Sequence, residues 1–147
     1  MQKLILTEEE QMVRESAADF LSQKAGPGAL RKIRDTANPQ GFSSEVWLEM
    51  AELGWPSILI EEAQGGLGFS HVAMGQIMEL CGSTLACSPL FSTAVVGASV
   101  LSLGGDRLAL LPKVAAGNLT LALAIDEAPR HNPQSIATRA VRRGDGY

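Results

Sequence analysis

Few side chains in this sequence could carry covalent or metal chemistry, and their spacing removes most of what they might do. Cys81 and Cys87 form no metal-ligand pattern, and no histidine pair supports one. Two thiols in a reducing compartment is a simpler reading than one disulfide. His71 and His131 stand alone, in a capping and a loop context, and neither is assigned a catalytic role. The run Gly65-Gly66-Leu67-Gly68 invites comparison with a phosphate cradle. It lacks the GxGxxG spacing and the Lys-Ser/Thr of a P-loop, so a turn feeding the next helix is favoured. Arg130 could meet a phosphate, but a solvated arginine is the simpler reading. Arg139, Arg142 and Arg143 make the last stretch basic, in the manner of a solvated strand face. No residue of the chain is assigned as catalytic, and none as a metal ligand.

These residues hang on a mainly helical frame. Thr7-Glu8-Glu9-Glu10 is a capping box, and it predicts a helix to about Lys24 with Val13, Ala17, Phe20 and Leu21 on one face. Gly26-Pro27-Gly28 stops it. Residues 25–43 are polar and read as a short helix or loop ending in the Asn38-Pro39-Gln40-Gly41 turn. Ser43 or Ser44 caps a helix to about Leu53, with Val46, Trp47, Met50 and Leu53 at helical spacing. Residues 55–60 form an apolar connector, and Ser70 caps a third helix that ends near Gly82. Ser88-Pro89 reads as an N-cap with proline at the first helical position, opening an apolar helix to Leu103. Asp106 caps a fifth helix to about Ala116, with a kink expected at Pro112. The period then changes to two. Leu119, Leu121, Leu123 and Ile125 alternate with small residues and predict a strand; residues 136–142 predict another, followed by a hairpin turn at 143–147. The expected division is a helical domain over 1–118 and the opening strands of an incomplete β-domain over 119–147.

Bulk properties exclude several classes. With 46% hydrophobic and 19% charged residues the chain is globular, and a net charge of −4 argues against a nucleic-acid binder. The first six residues are too few for a signal peptide. The uncharged stretch 80–105 approaches the length of a membrane span, but its serines, threonines and Pro89 argue for a buried helix instead. A cytoplasmic location is expected.

Three phrases carry a resemblance. They are Leu53-Gly54-Trp55-Pro56 running to Glu61-Glu62-Ala63-Gln64-Gly65-Gly66-Leu67-Gly68, then Leu111-Pro112-Lys113-Val114-Ala115-Ala116-Gly117, and then Leu121-Ala122-Leu123-Ala124-Ile125-Asp126-Glu127. In order and spacing they resemble the acyl-CoA dehydrogenase family, over essentially the whole chain. The resemblance implies a subunit of N-terminal helices, a middle β-domain and a C-terminal bundle, with FAD between the last two. It implies α,β-dehydrogenation of an acyl-CoA thioester by a carboxylate base and the flavin. That base usually lies in the C-terminal bundle, so it is absent from this chain, and the 147 residues alone are expected to be inactive. An electron-transfer partner and a homo- or hetero-oligomer with a similar subunit are implied.

On the same resemblance Phe91, Ser92 and Val95 fall near the positions that line the acyl pocket, against a plain core-packing alternative. Ile125 and Asp126 fall where the family addresses the flavin. Asp126 departs from the usual threonine, and Pro129-Arg130-His131-Asn132-Pro133 replaces a serine-bearing step. A carboxylate beside a flavin that gains negative charge on reduction is unfavourable. The departures suggest a divergent, heteromer-forming member acting on a bulky substrate such as a steroid side-chain thioester. The alternatives are an acyl-CoA oxidase, or a non-enzymatic helical interaction module using residues 80–105 as its interface.

Overall fold

The computed structural model describes residues 5–106 and 109–146. The expectations for the extreme N-terminus, for Tyr147 and for the stretch just after Asp106 fall partly outside them. The capping box forms as read: the Thr7 hydroxyl accepts from the Glu10 amide at 3.2 Å, and the Glu10 carboxylate accepts from the Thr7 amide at 3.0 Å. It opens α1, Glu8–Lys24. Pro27–Asp35 is α2, with proline at its start where a missing N–H costs nothing. Ser43 caps α3, Ser44–Glu52, and Ser70 caps α4, His71–Thr84.

Helices α1 and α4 are the central pair, and they run parallel. The N-terminal Glu10 accepts from the Ser70 hydroxyl at 2.7 Å, and a turn further along Arg14 donates to Gln76 at 2.6 Å and to Glu79 at 3.1 Å. Ala17 and Leu21 of α1 are buried with Trp47 and Met50 of α3 and with Ala73, Met74 and Ile77 of α4. Phe20 meets Trp55 edge to face, with ring centroids 5.2 Å apart. A second, smaller cluster joins Ile60, Ala98, Leu111 and Val114.

The apolar helix differs from expectation in its first half. It is a π-helix over Phe91–Gly97 that continues as α5, Ala98–Gly104. No side chain caps its start, so Ser88 does not act as the N-cap; instead the Pro89 carbonyl takes the Thr93 amide at 2.9 Å and the Ser92 hydroxyl at 3.1 Å. The next helix, α6, is only Leu111–Ala115. Asp106 still serves it: its carboxylate accepts from the Leu110 and Leu111 amides at 2.8 and 2.9 Å. Pro112 sits in the first turn, where no helical hydrogen bond is lost, so there is no interior position at which it could kink the helix.

The two expected strands do not form. Among the described residues the only ladder contact is the antiparallel bridge between Arg143 and Gly146, which is the turn the sequence signalled. A strand exists only through its partner's backbone groups, and beyond Leu121 none of the described residues pairs alongside.

Candidate functional site

The side of the molecule built by the π-helix and α5 has two unlike faces. Small residues point inward: Thr93, Ala94, Gly97 and Ala98 are buried, behind Leu90. Large apolar residues point outward, with Phe91 59% exposed, Val100 46% and Leu103 90%. An open cleft of about 330 Å³ runs beside α5, lined by Leu59, Ile60, His71, Ser99, Ser102 and Leu103 among others.

The pocket candidates Phe91, Ser92 and Val95 fall on one turn of this helix. Phe91 is free to meet a ligand or another element. Ser92 is half-buried, its hydroxyl committed to Pro89. Val95 is half-buried and leans on the main core, so part of its surface serves packing. The cofactor candidates lie elsewhere. Ile125 is half-buried and Asp126 exposed, and no hydrogen bond among the described residues joins either to the helix.

The glycine loop settles as a turn. The amides of Gly66, Leu67, Gly68 and Phe69 donate to the carbonyls of Glu61, Ser57, Ile60 and Ile58 at 2.7 to 3.0 Å, so none is left for a phosphate. Gly66 is required there, since a Cβ would stand 2.0 Å from the Ile60 oxygen.

Hydrogen bonds hold three exposed carboxyls below their ordinary value: Glu10 by Ser70 and then Thr7, Glu79 by Arg14 and then its charge, Glu127 by Thr138 and then the Ala137 and Thr138 backbone. A carboxylate base poised near neutrality needs a shift the other way. Burial pushes the Cys81 thiol up to about 11, which leaves it unreactive; Cys81 and Cys87 are both free. No metal-ligand group and no helix long and apolar enough to cross a membrane occurs among the described residues.

The profile of the acyl-CoA dehydrogenase N-terminal domain matches residues 7–118. The chain belongs to the acyl-CoA dehydrogenase family. Acyl-CoA dehydrogenase FadE12 of Mycobacterium tuberculosis is 30% identical over 149 aligned positions, covering 97% of this chain and 37% of that protein. Acyl-CoA dehydrogenase IpdE2 of the same organism is 29% identical over 120, covering 81% of this chain and 37% of its own length. Among solved structures, the Tcur3481-Tcur3483 steroid ACAD, in a variant form, superposes with a TM-score of 0.80 at 26% identity, over 94% of this chain and 38% of that one. The chain thus spans well under half the length of the relatives it matches.

Acyl-CoA dehydrogenases normally use FAD, and Asp126 and Glu127, in the stretch expected to meet it, are already engaged by their neighbours. The Asp126 carboxylate is taken by His131 Nδ1 at 2.7 Å, and Glu127 by the Ala137 and Thr138 amides. Both side chains are spent within their own loop.

Two long-range contacts escaped the sequence. The fully buried Thr93 hydroxyl accepts from the Leu121 amide at 3.0 Å, and Trp47 Nε1 donates to the Gly117 carbonyl at 2.8 Å. No sequence signal marks a π-turn, so Thr93 read only as one more polar residue in an apolar helix.

Proposed function

We propose that this chain forms the acyl-facing helical wall of a cytoplasmic, FAD-dependent acyl-CoA dehydrogenase that carries out α,β-dehydrogenation of a thioester and passes its electrons to a protein acceptor. The observation that carries this reading is the helix from Phe91 to Gly104, whose small side packs inward while Phe91, Val100 and Leu103 stand open to solvent. Phe91, Ser92 and Val95 contact the acyl group. Its methylenes would bind by burial, at roughly 0.8 kcal/mol each. The base and the flavin contacts come from outside the 147 residues. The chain alone is inactive. The helical domain spans 1–118, and 119–147 belongs to the β-domain that the rest of the protein completes.

A bulky steroid-type thioester and a pairing with a second, similar subunit are the preferred substrate and assembly. Both are supported by the likeness to the steroid ACAD, whose name carries two components. The test is to purify the full-length protein alone and with its homologous partner. The pair is expected to retain flavin and to reduce an artificial acceptor when given acyl-CoA. Full-length protein that by itself holds one FAD per subunit and oxidises acyl-CoA overturns the shared site.

A further inference from the structure

Thr93 and Gly97 lie four residues apart on the buried side of the π-helix, and both face Leu121. The Thr93 hydroxyl accepts from the Leu121 amide at 3.0 Å and lies 3.5 Å from the Leu121 carbonyl, toward which it can donate. One side chain therefore meets both backbone groups of one residue, as a paired strand would. Gly97 leaves the room: a Cβ there would stand 2.5 Å from Leu121 Cβ and 2.8 Å from its Cδ1. Four residues upstream, Gly117 is fixed by Trp47 and by a close approach to Ala51, 2.5 Å from where its Cβ would be. The segment leaving α6 is thus gripped at Gly117 and at Leu121, while residues 126–146 are exposed throughout.

The hydroxyl has reason to be there. A fully buried polar atom without a partner costs more than it returns, and valine would fill the same space in an apolar helix. The grip joins the turn that carries Phe91, Ser92 and Val95 to the start of the segment that carries Ile125 and Asp126. We propose that Thr93 is a positioning residue, its hydroxyl standing in for a neighbouring strand at Leu121 so that the acyl wall sets where the following segment departs. This rests on the dehydrogenase reading for its purpose, but not for its test.

Hydrogen exchange of the backbone amide at position 121 tests it in the 147-residue chain. Thr93→Val is expected to speed exchange there by about fivefold to tenfold while amides in α1 and α4 keep their protection. Thr93→Ser, which retains the hydroxyl, is expected to restore it. Leu121→Ala, which empties the Gly97 socket outside any helix, carries the test should Thr93→Val fail to fold, and is expected to raise exchange at the same amide. Unchanged exchange in Thr93→Val, or equal loss in the valine and serine variants, overturns the proposal. In the assembled enzyme Thr93→Val is expected to lower kcat several-fold with little change in KM for acyl-CoA. An assembly with no acyl-CoA oxidation in the unaltered protein defeats the dehydrogenase reading and leaves the exchange result to decide the role of Thr93.

Discussion

The helical region and the stretch beyond Leu121 share one chain but not one kind of stability. In the first, α1, α3 and α4 bury apolar residues against one another, and helix ends are closed by Thr7, Ser43, Ser70 and Asp106. In the second, side chains are exposed and the hydrogen bonds are short-range: Asp126 to His131, Glu127 to 137–138, Arg143 to Gly146. A helix satisfies its own backbone and needs partners only for its apolar face. A strand needs partners for its backbone as well. The same alternating pattern that would be buried in a sheet is here left without one.

Core substitution should separate the regions most sharply. Met50 is fully buried between helices, and Met50→Ala is expected to cost about 2 to 5 kcal/mol in chemical denaturation. Val141 is 65% exposed, and Val141→Ala should change stability by less than about 0.5 kcal/mol. Comparable losses from the two would mean that the C-terminal stretch is packed in solution, and the contrast would fail.

Two glycines make a finer comparison. Gly117 and Gly144 both have positive φ, +72° and +62°, but only Gly117 meets a neighbour, Ala51. Gly117→Ala is expected to lower stability by about 1 to 3 kcal/mol through strain and overlap together. Gly144→Ala bears the strain in a turn that is uncoupled from the core, so the thermal midpoint should not move. If Gly117→Ala is silent, the grip on the exit segment is weaker than its geometry implies.

The difference between the regions also explains what the sequence disclosed. Helix caps and apolar spacing are local, so Thr7, Ser43 and Ser70 were legible as caps and Trp47 and Met50 as inward positions. The short α6 followed from Pro112 acting as a first-turn residue, which depends on where the preceding backbone goes. The alternation over 119–125 suits a strand, but pairing there and at 136–142 is decided by what lies alongside, which no local pattern records. Phe91 was legible as a surface-facing aromatic only once the buried side of its helix was known. Thr93 was invisible for the same reason, because its partner is far along the chain.

Acid should loosen the helical pair at one identifiable point. The Glu10 carboxyl is held below its ordinary value of 4.5, first by the Ser70 hydroxyl and then by Thr7, and it ties the start of α1 to the start of α4. A depressed folded-state value means the stabilisation is fully present above about the ordinary value and is lost as pH falls through the lower one. Thermal midpoints measured from pH 7 down to pH 3 should therefore converge for the unaltered chain and Glu10→Gln, with the gap widest at the neutral end. A gap that is constant with pH would show that the carboxylate charge contributes nothing.

The smallest effect belongs to Glu127, the counterpart of Glu10 in the exposed stretch. Thr138 and the Ala137 and Thr138 amides hold its carboxyl below the ordinary value, so its charge too is favoured above that value and lost below the lowered one. The consequence should stay local, because 126–146 is exposed and carries no core residue. Glu127→Gln is expected to shift the amide resonances of Ala137 and Thr138 while leaving the thermal midpoint alone. In the unaltered chain those two resonances should titrate with the acid limb of Glu127, and the α1 and α4 amides should not follow them. A shared titration, or a fall in the midpoint on Glu127→Gln, would mean that the loop is coupled to the helices. Asp126 would then be held by the domain and not only by His131.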